Sequence, residues 1–259
     1  MSLPLPDVAH HGWLEGVPKA LSIERAILVG HGPLPTTGRL INALEQSAAG
    51  SGTALIALDG AARTLLQRGN VPDYIIGDFD SLGDPSTLAY PEGREPPQLI
   101  AVKDEGISDL EKGLALAHHL GAKNVMIAAT WSLDRPDHSI AAVLLLRAVD
   151  DWFERLAIVG EEWSIHWIGT GRSRRFESFP GQRISLLPAG PLGSVVTVQG
   201  VRWPLQEAPL STGTQGISNR SLGDEVHIEV HSGGVVLVSF DPQWKPSNDG
   251  HVVVTDDRA

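Results

Sequence analysis

Between residues 25 and 169 the chain repeats one pattern: a short, continuous apolar run, a turn, then a helical stretch. Such runs lack the in/out alternation of a sheet with one wet face. They predict strands of a parallel sheet covered by helices on both sides. Strands are expected at 26–29 (AILV), 54–58 (ALIAL), 74–76, 99–102 (LIAV), 125–129 and 156–159. Helices are expected at 37–48, with Leu40, Ile41 and Leu44 on one face, and at 61–68, 109–120 and 137–152. Ser108 stands where it can cap the third of these. Beyond residue 171 the texture changes to short strands punctuated by Gly, Pro, Asn and Asp, at 182–187, 194–201, 216–221, 225–230 and 235–240. No helix is expected there, and the pattern is that of a small antiparallel sandwich or barrel. The stretch 169–175 (GTGRSRR) reads as a link. Residues 1–22 read as an N-terminal extension and 242–259 as a polar tail, within which 252–254 can add an edge strand.

Composition narrows the chemistry. The 259 residues carry 20 Lys and Arg against 31 Asp and Glu, a net charge of −11, which disfavours a nucleic-acid binder. There is no cysteine, so disulfides, thiolate metal sites and Cys nucleophiles are excluded. No apolar run is long enough to span a bilayer, and the first residues lack the pattern of a signal peptide, so a cytoplasmic location is expected.

Four segments that follow strands carry the candidate chemistry. In DYIIGDFDS an apolar strand ends at Gly77, and Asp78 and Asp80 flank Phe79. Extended backbone would put both carboxylates on one side, where they repel unless a cation or proton lies between them. Hard oxygen donors beside phosphate suit Mg2+; a solvated turn is the alternative. Asp59, after ALIAL, is either a ligand or a helix N-cap. KDEGISDLEK offers Lys103 and Ser108 to a phosphate and places Asp109 in a first helical turn, or it is simply a charged helix start. WSLDRPDH offers Arg135 for paired hydrogen bonds to a phosphate, with Asp137 and His138 opening a helix; taken alone, a surface turn fits it better. The histidine pairs, and Trp152, Trp163 and Trp167, read as solvated or packing residues.

Taken together, these segments resemble the thiamine pyrophosphokinase family in order and spacing. LDGAARTLL is similar to that family's A-D-G-G-A-N, PDYIIGDFDSL to P-D-x-I-I-G-D-F-D-S, SDLEKGL to T-D-x-x-K-A-L, and RPDH to G-G-R-x-D-H. ISLLPAGPLGSVVTVQGVRWPL resembles the thiamine-binding β-domain with its L-K-W-x-L, and GISNR the S-x-S-N segment. The departures are Ala61 for Gly, Ser108 for Thr, Leu133 and Asp134 for a Gly pair, Ala142 for Asn, Arg202 for Lys, and Pro204 after Trp203.

The resemblance implies an α/β domain with a mostly parallel, Rossmann-like sheet over 23–170 that binds ATP and Mg2+. A smaller all-β sandwich over 175–241 would bind thiamine. The implied reaction moves a diphosphate from ATP to the thiamine hydroxyl, giving thiamine diphosphate and AMP. By the same carry-over Asp78, Asp80 and Asp109 hold the metal, with Asp59 as a fourth ligand or an outer-shell partner. Ser81, Lys103, Ser108 and Arg135 contact the nucleotide, and Asp137 the acceptor. Trp203 stacks on thiamine while Ser218 and Asn219 hydrogen-bond its pyrimidine. The implied assembly is a homodimer whose subunits share each site, with no nucleic-acid or membrane partner. Two alternatives stay open: a related diphosphokinase with a hydroxymethylpterin-like acceptor, and a non-catalytic thiamine-binding protein. The RWPL and SNR segments favour thiamine; the intact aspartates favour turnover.

Overall fold

The computed structural model describes residues 12–14, 16–17, 23–36, 40, 43–44, 52–104, 106–211, 213 and 215–240. Six strands form the parallel part of the main sheet: β1 (Arg25–Val29), β2 (Thr53–Leu58), β3 (Tyr74–Gly77), β4 (Gln98–Ala101), β5 (Asn124–Ala128) and β6 (Arg155–Val159). Their spatial order is β6-β5-β1-β2-β3-β4, so the direction of winding reverses between β1 and β5. Between them lie, among the described residues, the helices α1 (Ala61–Gln67), α2 (Asp109–His119) and α3 (Pro136–Ala148).

Successive strand residues feed opposite cores, as an apolar run buried on both faces must. Ala26 and Leu28 join Leu114 of α2 and Leu146 of α3 on one side. Ile27 and Val29 join Leu65 of α1, Leu40 and Leu44 on the other. Most of the helix expected over 37–48, Ile41 included, lies outside the described residues, as do most of the N-terminal extension and the C-terminal tail. The helix expected to reach residue 152 ends at Ala148, and the chain turns through Val149 toward Phe153.

The remaining strands are antiparallel: β7 (Trp163–Ile168), β8 (Arg172–Glu177), β9 (Arg183–Pro188), β10 (Ser194–Gln199), β11 (Leu205–Leu210), β12 (Asn219–Arg220), β13 (Glu225–Ser232) and β14 (Val235–Phe240). β7 pairs with β6, and β14, β9 and β12 follow, extending the parallel sheet to ten strands. A second sheet, β11-β10-β13-β8, packs on this extension. Ile184, Leu186 and Leu237 of the large sheet meet Val196, Val226 and Ile228 of the small one.

Three of these strands escape the sequence reading. β8 begins inside the stretch expected to be a link, and its arginines mask it: Arg174 is buried and reaches Asp150, while Arg172 reaches Asp150 and Asp151. β11 lies at a sheet edge and holds Pro209, which only an edge tolerates well. β7 hides behind Ser164 and His166, polar residues that are nonetheless buried. Conversely, the strand expected over 216–221 shrinks to Asn219–Arg220.

Asp73 illustrates a signature residue used for structure. Its carboxylate accepts from Leu55 N at 2.7 Å and its own N–H donates to Leu55 O at 2.8 Å, clipping the start of β3 to β2. Burial pushes its pKa up, opposed by that hydrogen bond. An acid with a raised folded pKa loses stability as pH rises from its unfolded value through the raised one. Asp73→Asn keeps an acceptor and removes the charge, so its melting temperature relative to wild type should be higher at pH 7 than at pH 3. Asp73→Ala leaves the Leu55 N–H unsatisfied and should cost about 1–3 kcal/mol in denaturant titrations.

Candidate active site

The site is built at the C-terminal ends of the parallel strands, where open α/β sheets place ligands. Asp59 follows β2 directly, and its backbone is held in a left-handed conformation, φ 45°. It is not the N-cap of α1: Gly60 takes that position, with no side-chain cap. The buried Asp59 carboxylate instead accepts from Ser81 N at 3.1 Å and Leu82 N at 2.9 Å, reaching across to the loop after β3. Gly77 permits this crossing, since a Cβ there would lie 2.8 Å from Asp59 Cβ.

The loop does not stay extended. Phe79 has φ 69°, and Asp80 N donates to Asp78 Oδ1 at 3.2 Å, so a tight turn rather than strand alternation brings the two aspartates together. The result is a group of three carboxylates, Asp59, Asp78 and Asp80, each with a ligand oxygen within 4.8 Å of the others. Burial raises the pKa of Asp59, partly offset by the Ser81 and Leu82 amides. The Asp80 pKa is lowered, first by the Ser81 hydroxyl, which donates to it at 3.0 Å. Ser81 therefore serves the cluster. Arg63 fixes the far side of the loop, donating to Leu82 O at 2.6 and 2.9 Å and to Thr87 Oγ1 at 3.1 Å. Arg63 did not stand out in the sequence, because it acts on a backbone group that a motif does not display.

Asp109 is outside that group of three. Its Oδ1 pairs at 2.9 Å with Lys112 Nζ, a buried ammonium that sequence reasoning missed. The Asp109 charge still raises the Asp59 pKa, the smallest of the causes acting on it. Ser108 caps α2 in a reciprocal capping box with Glu111. Lys103 is exposed in the loop after β4. Arg135 and Asp137 form a two-point pair at 3.1 and 2.9 Å, which holds the Asp137 carboxyl at about 2.

The thiamine-site candidates lie at the other end of the sheet. Trp203 is 54% exposed, with the Arg202 guanidinium 4.9 Å from its ring centroid. Asn219 is buried and brackets it: Oδ1 accepts from Trp203 N at 3.2 Å and Nδ2 donates to Trp203 O at 2.8 Å. Its amide holds the tryptophan loop. Ser218 has φ 61° and donates its backbone N–H to Ser185 Oγ.

Two family models match the chain: "Thiamin pyrophosphokinase, catalytic domain" over residues 46–159, and "Thiamin pyrophosphokinase, vitamin B1 binding domain" over 173–235. The chain belongs to the thiamin pyrophosphokinase family. It is therefore a thiamine diphosphokinase, an enzyme of thiamine diphosphate synthesis. Solved structures share the fold of this family member. Thiamine pyrophosphokinase from Bacillus subtilis superposes with TM-score 0.69 at 19% identity, covering 85% of this chain and 100% of that one. The thiamin pyrophosphokinase from Geobacillus thermodenitrificans gives 0.67 at 20%, covering 85% and 98%. That from Candida albicans gives 0.67 at 16%, covering 86% and 94%. Comparison with curated protein sequences gives no match. Among the described residues no helix is long and apolar enough to cross a membrane.

Proposed function

We propose that the carboxylate cluster is where diphosphate passes from ATP to the thiamine hydroxyl, with residues 23–170 as the catalytic unit and 175–241 as the thiamine-binding unit. The observation that carries this is the convergence of Asp59, Asp78 and Asp80 within 4.8 Å at the ends of neighbouring strands. Three carboxylates at that spacing need a cation or proton, and their hard oxygens fit Mg2+. Asp59, Asp78 and Asp80 would hold it, with Asp109 as the fourth acid. Mg2+ bound there supplies neutralisation of phosphate charge.

The chain's own part is mainly positioning, because phosphoryl chemistry through a loose transition state asks for alignment more than for a strong base. Arg135 retains donors beyond the two engaged by Asp137 and can hold a phosphate oxygen beside them. Lys103 and Ser108 flank the nucleotide, and Asp137 orients the acceptor hydroxyl. Ser81 keeps Asp80 ionised. Trp203 offers a stacking face to the cationic thiazolium. Ser218 offers its hydroxyl to the pyrimidine, and Asn219 acts by fixing Trp203.

The sheet order favours a homodimer with shared sites. β12, which carries Asn219, stands eight strand steps from β3. At about 4.8 Å per step, that is roughly 40 Å within one chain. Thiamine held at Trp203 would meet the acids of a second copy far more readily than those of its own chain. Leu133, Ile140 and Leu144, at 91%, 59% and 65% exposure, form an apolar face around α3 that a second copy can cover. A cytoplasmic location belongs to the same proposal, since the reaction draws on ATP.

AMP release from ATP, thiamine and Mg2+ tests the reading, and chelation of the metal should abolish it. AMP formed with a hydroxymethylpterin but not with thiamine would transfer the proposal to another acceptor. Thiamine binding without AMP would make this a binding protein.

A further inference from the structure

We infer that Arg183, Arg202 and Arg220 form an anion seat beside Trp203 that takes the diphosphate of thiamine diphosphate, an inference that rests on the thiamine reading above. The vitamin-binding unit would then hold the product of the reaction in preference to free thiamine. The three arginines stand in one row. Arg220 of β12 is the register partner of Arg183 of β9. On its other side Arg202 N donates to Arg220 O at 2.8 Å, next to the bridge between Val201 and Ser221. Residues directly opposite each other in an antiparallel pair point to the same face, so the three side chains leave from one face, and all three are exposed. Asn219 and Ile184, the next pair along, are buried on the other face.

Such a row is costly by itself, because like charges directly opposite destabilise a sheet pair. These are three of the 20 Lys and Arg in a chain of net charge −11, so opposite charge is plentiful. Yet among the described residues no carboxylate makes an ion pair with any of the three, whereas Arg172, Arg174 and Arg175 of β8 each reach one. An anion bound across the row would offset the repulsion. The guanidinium groups are already held for it. Arg183 lies over the Phe240 ring at 4.4 Å from its centroid, and Arg202 over the Trp203 ring at 4.9 Å. Stacking engages the flat face of a guanidinium and leaves its N–H edge to a ligand. Arg220 spends one donor on Gly181 O, at 2.9 Å, and keeps the rest. Planar forks of this kind match the oxygens of a phosphate two at a time.

The neighbour of the row identifies the ligand. Trp203 follows Arg202 in the chain, and Asn219, which precedes Arg220, holds both the N–H and the C=O of Trp203. A ring stacked on the exposed indole therefore lies beside all three arginines. Thiamine is a cation, and three positive charges next to its seat oppose it. Thiamine diphosphate has the same ring and carries an anionic tail on its hydroxyethyl arm, which the row attracts. The arginines thus favour the phosphorylated vitamin over the free one. Product that accumulates occupies the seat of the substrate, and the reaction slows.

ATP brings the same phosphate chemistry, so the test separates the two sources. Calorimetry on the full chain without ATP should show thiamine diphosphate binding more tightly than thiamine, with an affinity that falls as salt is added. Arg183→Gln and Arg220→Gln should each weaken thiamine diphosphate about tenfold or more, as loss of a charge-assisted hydrogen bond does. Thiamine itself should bind these variants as well as the wild type or better. In steady state thiamine diphosphate should inhibit in competition with thiamine, and its inhibition constant should rise by the same factor in the variants while the KM for ATP stays put. Thiamine bound as tightly as its diphosphate by the wild type, equal affinity for the diphosphate in folded variants, an equal loss for thiamine, or a loss that falls on ATP instead would each overturn the assignment. Should Arg220→Gln, which gives up the bond to Gly181 O, fail to fold by circular dichroism, Arg183→Gln decides. Arginine-dependent binding of thiamine diphosphate in a protein that releases no AMP would leave the row assigned and the catalytic reading refuted.

Discussion

Asp80→Asn should lower turnover about a thousandfold while circular dichroism and melting remain those of the wild type. The substitution keeps an oxygen for the Ser81 hydroxyl and leaves the Asp80 backbone N–H on Asp78 undisturbed. What it removes is one negative charge from a group of three. Electrostatic stabilisation of transferring phosphate by a bound metal amounts to several kcal/mol, and each 1.36 kcal/mol is tenfold in rate, which sets the expected size at about three decades. The Mg2+ concentration at half activity should rise as well. The Asp80 side chain is exposed and contributes little to packing, so a folded, slow enzyme is the expected product. Turnover within twofold of wild type would remove Asp80 from the ligand set and, with it, the proposed site.

Mixing two inactive variants should restore activity. Trp203→Ala should lose thiamine turnover because the exposed indole is the proposed stacking face, and Asp80→Asn loses it at the acids. If each site takes Trp203 from one subunit and Asp80 from the other, every mixed dimer holds one intact site and one doubly altered site. Random exchange in a two-fold dimer makes half the dimers mixed, so about a quarter of wild-type activity should return. The prediction follows from the eight strand steps between β12 and β3. A site contained within one chain would give no recovery at any mixing ratio, and gel filtration of the mixture would show whether subunits had exchanged.

The parallel half of the fold was legible because its strands are bounded apolar runs and its helices carry start and stop signals: Ser108 before α2, and Gly69 after α1. The antiparallel half was read less well where charge or proline interrupts a strand. Arg172 and Arg174 are on β8 because Asp150 and Asp151 wait for them, a fact of tertiary structure that composition cannot disclose. The acids were found by their position after strands, but the reason for their convergence was not. Alternation suggested an extended Asp78–Asp80 segment, whereas left-handed Phe79 bends it. Asp59 resembled a cap because Asp is a good one; its preference for two amides of a distant loop depends on β3 lying beside β2. Asn219 looked like a ligand contact; in the fold its buried amide holds the Trp203 backbone, a tie that only tertiary structure displays.

The unbroken ladder from β6 through β7 to β14 has a consequence for how such a chain can be divided. β14 covers β7 along its whole length, from Val235 opposite Ile168 to Phe240 opposite Trp163. A fragment stopped near residue 170 would present that row of amides and carbonyls uncovered, a template for aggregation. The nucleotide and vitamin halves are thus inseparable at the level of the polypeptide, and recombination that swaps one half for a foreign counterpart must carry a matching border strand with it.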